Sequence, residues 1–273
     1  MSSFDAHTLD VLEYPKIVSI LKGLCLTQYG VAKVDEIRPL TDATIIRTKL
    51  DEITQMKDII RFGQALPLYR LDDISELLAK SKTEGYFLEP KALLSVKELI
   101  EVSLDLHTYA ADERENFPLI AHYLAKLHPF PELKKAIDKT IDRDGEILDS
   151  ASSKLKQLRQ DISSLRKKIL QRLDHILSDR RKQPGWQDDM ITQRDGRYVI
   201  PVLSGQFRAN AGIVHDRSQS GATLYVEPNE TVELNNQLSL QMQQERLEID
   251  RILRRLTGLV GEAADRLREN ADL

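Results

Sequence analysis

Between residues 150 and 183 the chain carries a stripe that few folds can accept. Leu155, Leu158, Ile162, Leu165 and Ile169 step by three, four, three and four, and Leu173 and Ile176 continue after one four-residue irregularity. That period marks one side of a long helix. About 34 residues at 1.5 Å each reach roughly 50 Å, and such a helix is unstable unless something covers its seam. Pro184–Gly185 ends it. A second seam of the same step is expected at Ile249, Ile252, Leu256, Leu259, Ala263 and Leu267, in a helix spanning 229–270. Asn229 is its expected N-cap, with Glu230 and Glu233 in the first turn, where the dipole favours acids.

Residues 186–228, between the two helices, switch to strand patterning. DMITQR and RYVIPV flank Asp195–Gly196, the sequence form of a hairpin with a primed turn. Pro201 points to an edge or a strand terminus. FRANAGIVHDR and ATLYV supply two more strands, and Gly221 in SQSG suits a positive φ at the turn between them. A helix out, a small sheet and a helix back predict an antiparallel coiled-coil arm with a β tip.

Residues 1–149 read as helices. KIVSILKGL (16–24) and YGVAKVDEI (29–37) have apolar residues at three- and four-residue spacing. ATIIRTKLDEITQMKDIIRF runs from Asp42 as N-cap to Gly63 as C-cap, and a long helix follows Pro90. FPLIAHYLAKL and PELKKAID come next, then DRDGEIL (142–148) with a turn at Asp144–Gly145. Only YFL (86–88) has any strand character. The predicted fold is therefore mainly α: a helical domain over 1–149, then 150–273 comprising an outgoing helix (150–183), a β tip (186–228) and a returning helix (229–273). A charged fraction of 30% beside 5% aromatics agrees with a helix-rich class.

The single cysteine, Cys25, excludes an internal disulfide and a Cys-based zinc site, and between Leu24 and Leu26 it is expected to be a buried small hydrophobe. With no secretory h-region and no apolar run near the ~18 residues of a membrane helix, a soluble cytoplasmic protein with no membrane partner is expected.

Charge is unevenly spread. Residues 1–149 hold nineteen Lys/Arg and twenty-six acids, net −7; 150–185 hold ten and three, net +7; 186–228 are net −1 and 229–273 net −3. The basic helix has two readings. Its cations solvate an outer face and pair with acids of the returning helix, or they contact phosphates near the tip.

His215, Asp216 and Ser218 are the residue types of a catalytic triad. Strand alternation puts His215 and Arg217 on one side and Asp216 on the other, which argues against one. The histidines, at 7, 107, 122, 128, 175 and 215, have no paired ligand spacing. Trp186, at the helix-to-sheet junction, is expected to be a buried anchor. GxxxxGK[ST] and GxGxxG occur nowhere, so no nucleotide site, cofactor, metal or catalytic residue is assigned.

Four strings in order, LDVLEYPKIVSIL, DRDGEILDSASSKLKQLR, RDGRYVIPV and IVHDRSQSGATLYVEPNETVELNNQL, cover nearly the whole chain. In them the chain resembles the N-terminal part of the bacterial MutS family, of the type called MutS-two. The resemblance implies that 1–149 form a core, or lever, domain and 150–273 a clamp that closes on nucleic acid. It places an ATPase domain using ATP and Mg, and a nuclease-type Smr domain, later in the parent protein, which would act as a homodimer. This chain stops at Leu273 before any such sequence, so a fragment that is not itself an enzyme is expected. The mismatch-reading module of mismatch-repair MutS has no counterpart at its front, so the resemblance implies recognition of duplex or branched DNA in repair or recombination control.

On that reading Arg180, Arg181, Lys182, Arg194, Arg197, Arg208 and Arg217 contact phosphates, and Ser218, Gln219 and Ser220 are hydrogen-bond donors at the tip. Glu227, Pro228 and Asn229 form the strand-to-helix corner. Leu203 stands where the family often has lysine, and the tip is net acidic. Both favour the alternative, an arm for a protein, ribosome or rRNA surface in the rescue of collided ribosomes, with little DNA binding of its own.

Overall fold

The computed structural model describes residues 5–63, 65–181, 190–208 and 210–273, with only the backbone at 179–181. Helices α1 (Ala6–Val11), α2 (Tyr14–Leu24), α3 (Gln28–Glu36), α4 (Ala43–Phe62), α5 (Ser75–Ser81), α6 (Pro90–Asp112), α7 (Pro118–Leu124) and α8 (Pro131–Thr140) precede the long α9 (Ser153–Arg181). Strands β1 (Thr192–Arg194), β2 (Arg197–Leu203), β3 (Gly212–Arg217) and β4 (Thr223–Pro228) then lead into α10 (Asn229–Asp272). The chain is mainly helical with one small antiparallel sheet, as expected. It divides into two compact units, one of residues up to Leu148 with Leu253–Leu273, the other Asp149–Ile252. No helix among the described residues is long and apolar enough to cross a membrane.

Local chemistry fixes the helix ends in the first unit. Asp42 Oδ1 accepts from the N–H groups of Thr44 (2.8 Å) and Ile45 (3.1 Å), and Gly63 closes α4. Helices α6, α7 and α8 each open on a proline, where a missing N–H costs nothing. The expected turn at Asp144–Gly145 forms, with Gly145 at φ 88°, while residues 86–88 form no strand. Helices α1 and α5 have no counterpart in the sequence pattern; at six and seven residues they are too short to display a period.

The core of this unit gathers around α6, where Leu93, Val96 and Ile100 are wholly buried. Here α10 presents Leu256, Val260, Ala264 and Leu267. Leu259 is 37% exposed and Ala263 half-buried, so the expected second seam is displaced by one position at Val260 and Ala264 and is met again at Leu267. Steps of four let the apolar stripe wind slowly around α10, and past Ile252 the helix packs in the helical unit rather than continuing a coiled-coil seam. At Gly261 a Cβ would stand 2.8 Å from the Ser81 carbonyl oxygen, so the backbones of α5 and α10 approach closely. Cys25 is half-buried rather than buried, because α2 buries no residue at all, and its thiol faces the Leu21 carbonyl at 3.4 Å.

In the second unit the hairpin turn has Asp195 at φ 50° and Gly196 at φ 76°, both positive as a type I′ turn requires. Strand order is β1-β2-β4-β3, all antiparallel. Pro201 sits where β2 pairs only with β4, since β1 ends opposite Val199, so its missing N–H interrupts no ladder on that side. Ile200 opposite Val226 and Val202 opposite Leu224 make the inner face, in one cluster with Ile169, Leu173 and Leu177 of α9 and Leu238 of α10.

Candidate nucleic-acid interface

The side chains joining α9 to α10 run in opposite order along the two helices, so the helices are antiparallel. Ser152 and Arg159 meet Glu248 and Glu245, and farther along, Ile162 to Leu177 pack with Met242, Leu238 and Leu234. The seam on α9 is apolar, as read from the sequence. Its counterpart on α10 is mixed: Thr231, Asn235 and Glu248 are all buried.

An ionic clasp closes the start of the pair. Glu248, with 1% of its side chain exposed, accepts from Ser152 Oγ at 2.8 Å and from Arg251 Nε and Nη2 at 2.9 and 2.6 Å. The Arg251 bonds hold its carboxyl down at about 2 against the opposing pull of burial, helped by Ser152 and Lys154. Ser152 Oγ also accepts from the Leu155 N–H, so the same carboxylate orients the first turn of α9. Arg159 bridges Asp149 at 2.6 Å and Glu245 at 2.9 Å. Burial lowers the Arg159 pKa, but the two carboxylates together outweigh it and raise the pKa.

The sheet has its own buried charge. Glu227 is fully buried in β4 and takes Arg197 Nη1 on both oxygens, at 2.8 and 3.1 Å. Arg197 Nη2 donates to Asn236 Oδ1 at 2.6 Å, and His215 Nε2 lies 2.6 Å from Glu227 Oε2. Arg194 pairs with Asp216 at 2.8 Å and lies over the Tyr225 ring at 3.9 Å. The alternation expected for His215, Asp216 and Arg217 does not hold. The β3–β4 register shifts between Val214 and Asp216, so His215 occupies a bulge and Asp216 moves to the face of Ile213. His215 and Asp216 each meet a partner on the outer face, and Arg217 stands opposite inward Leu224. No triad results, because the His215 nitrogen is taken by Glu227 and Ser218 Oγ by the turn: it lies 3.3 Å from Ser220 Oγ and accepts from the Thr223 N–H at 3.1 Å. Gly221 takes φ 72°, as its place in SQSG predicts.

Among the described residues no three His, Cys, Asp or Glu side chains gather closely enough to hold a metal ion. Solvent-facing positive charge lies instead on α9. Arg166, Lys167, Lys168 and Arg172 are exposed within two turns of helix and make no ion pair among the described residues. Arg208 and Arg217 are also exposed and unpaired among them, and Gln219 is exposed.

Over 272 residues the chain is 36% identical to Endonuclease MutS2 of Geobacillus sp. (strain WCH70), an alignment covering 98% of this chain and 35% of that protein. Proteins of the same name from Alkaliphilus oremlandii and Thermotoga maritima are 33% and 34% identical, each across 97% of this chain and 34% of their own length. The resemblance to the MutS-two type holds across nearly the whole chain, which aligns with proteins named Endonuclease MutS2. The chain spans about a third of the length of the curated relatives it matches. No protein-family model matches it.

The ten candidate contacts are treated differently by the fold. Arg194 and Arg197 are committed to internal carboxylates, and the Ser218 and Ser220 hydroxyls to their own turn. Arg208, Arg217 and Gln219 face solvent. The side chains of Arg180 and Arg181, and the whole of Lys182 and Trp186, lie outside the described residues. The cations singled out by the structure, Arg166 to Arg172, stand in the sequence only as part of a charge run. The absence of acids at 165–173 is the only local hint of them in the sequence, and it cannot report a distant carboxylate such as the Glu245 that reaches Arg159.

Proposed function

We propose that this chain is the core and clamp of a MutS-like DNA-binding ATPase, gripping duplex or branched DNA through its phosphates without reading sequence. The observation that carries this reading is the unpaired group Arg166, Lys167, Lys168 and Arg172 on the solvent side of α9. Unpaired cations along a helix contribute to nucleic-acid affinity by releasing counterions, a term blind to sequence. Arg208 and Arg217 extend the contact to the sheet. The two helices then relay the state of an ATPase that, with its ATP and Mg, its nuclease activity and its homodimer contacts, we assign to parts of the parent protein outside this chain.

Titrating the chain against labelled four-way junction, duplex, single-stranded DNA and structured RNA across salt tests this. Binding should weaken steeply with salt. Arg166→Ala/Lys168→Ala/Arg172→Ala should lower the log–log salt slope by about 0.9 for each phosphate no longer neutralised, equally on all sequences. A slope unchanged in the triple variant overturns the reading.

A second reading is favoured by the internal engagement of Arg194 and Arg197 and by Leu203, 36% exposed at the end of β2. In it the arm holds ribosome or protein surface. Co-sedimentation with ribosomes, together with no DNA binding at low salt, would select it.

A further inference from the structure

Helix α4 is packed on one side only. Its one buried residue is Ile59. The opposite face carries Leu50, Ile53 and Ile60, which are 55, 56 and 76% exposed. On a 3.6-residue helix these three fall within about 80° of arc, a continuous apolar stripe. Arg47, Lys57 and Arg61 interrupt or border that stripe, are exposed, and make no ion pair among the described residues. Lys49, the other cation on that side, is held by Glu52 at 2.8 Å. All this stands in a segment, 1–149, whose net charge is −7. The free cations around the stripe are therefore a local exception to their surroundings.

We infer that this face of α4 docks an amphipathic helix of a partner polypeptide, whose apolar stripe is flanked by Asp and Glu. Apolar side chains exposed in a row at helical spacing are the anchors of helix-on-helix recognition. Charge complementarity selects the partner. Lys57 within the stripe and Arg47 and Arg61 beside it, without ion pairs among the described residues, pair with flanking carboxylates and repel a basic helix. An anionic membrane suits the site less, since one stripe gives little depth of insertion, and a nucleic acid has no apolar stripe to match Leu50, Ile53 and Ile60. A second copy suits it less too. Pairing α4 antiparallel with itself about residue 54 sets Arg47 of one copy against Arg61 of the other, and parallel pairing sets each cation against its twin.

The test is fluorescence anisotropy of the whole chain with labelled synthetic helices of about 20 residues, long enough to hold a helix. One has a Leu stripe with Glu flanks, the other the same stripe with Lys flanks. The acidic helix should bind about tenfold more tightly, as three exposed ion pairs would give. The preference should reverse in Arg47→Glu/Lys57→Glu/Arg61→Glu. Ile53→Asp should abolish binding while the far-ultraviolet circular dichroism stays unchanged, because the side chain faces solvent. Equal binding of the two helices overturns the proposal. So does self-association of the chain that Ile53→Asp abolishes, or binding to phosphatidylserine vesicles that the triple variant loses.

Discussion

Replacing Glu248 by Gln tests how far the buried charge at the start of the helix pair stabilises the fold. Gln keeps the shape and the acceptor for Ser152 Oγ but removes the charge that Arg251 grips at 2.6 and 2.9 Å. A carboxyl at about 2 against its ordinary value of 4.5 corresponds, at about 1.4 kcal/mol per pKa unit, to roughly 3 kcal/mol of stabilisation by the ionised form. Arg251 is 60% exposed, so water screens part of this, and a loss of about 2 kcal/mol is expected near neutral pH. The sign of the pH dependence follows from a depressed folded pKa. The contribution is complete above the unfolded value and is lost as pH falls from about 5 towards 2. Urea unfolding followed by circular dichroism at pH 7 and at pH 3 measures both. Glu248→Gln should lower the midpoint at pH 7, and by about half as much at pH 3, where the folded carboxyl at about 2 is still mostly ionised. Hydrogen exchange should localise the loss, with faster exchange at the Leu155 amide, which Ser152 caps. A variant with an unchanged midpoint at pH 7, or with an acid limb as steep as that of the parent chain, refutes the reasoning.

Two further substitutions probe the sheet. Arg197→Ala leaves Glu227 buried with only His215 beside it and should cost about 3–5 kcal/mol; adding Glu227→Gln should recover part of that in a double-mutant cycle of urea midpoints. Gly212→Ala would place a Cβ 2.2 Å from the Glu227 carbonyl oxygen, so β3 must move away from β4; faster amide exchange across 212–217, with α9 unaffected, would report it.

What the sequence makes legible follows from where apolar residues are also the buried ones. The α9 seam is built of Leu and Ile, and its period is visible without a structure. The strands and the Asp195–Gly196 turn announce themselves because only certain residues take two positive φ angles in succession. On α10 the same logic misleads. Thr231, Asn235 and Glu248 occupy buried positions that a hydrophobicity pattern assigns to solvent, while Leu259 and Leu247 are exposed at 37 and 62%. The bulge at His215 leaves no mark in composition, and without it strand alternation points to the wrong face. Glu227 reads as part of the strand-to-helix corner, yet nothing in its neighbours betrays that Arg197 and His215 both reach it in the interior. The interface residues are legible as a class, a basic helix, but not individually, because whether an arginine is free depends on carboxylates distant in sequence. Arg159 and Arg166 show the difference: the first meets Glu245, 86 positions away, and the second meets no carboxylate among the described residues.

Three buried polar residues of α10, Asn235, Thr257 and Asn270, share one physical role, and it accounts for part of the broken apolar stripe. Asn235 accepts from the Tyr198 N–H and donates to the Tyr198 carbonyl, at 3.1 and 3.2 Å. Asn270 does the same for His128, at 2.8 Å both ways. Thr257 Oγ1 accepts from the Leu88 N–H at 2.8 Å while donating to Leu253 O in its own helix. Each of these backbone groups belongs to a loop or a strand position that no neighbouring strand or helix serves on that side, and a buried amide left without a partner costs about 1–3 kcal/mol. A leucine at any of the three positions would read as a better seam and would leave one or two backbone groups unpaired. These three residues are therefore chosen by the backbones packed against them, and α10 holds Tyr198 of β2 and the loop positions Leu88 and His128 by hydrogen bonds that no hydrophobic periodicity can encode.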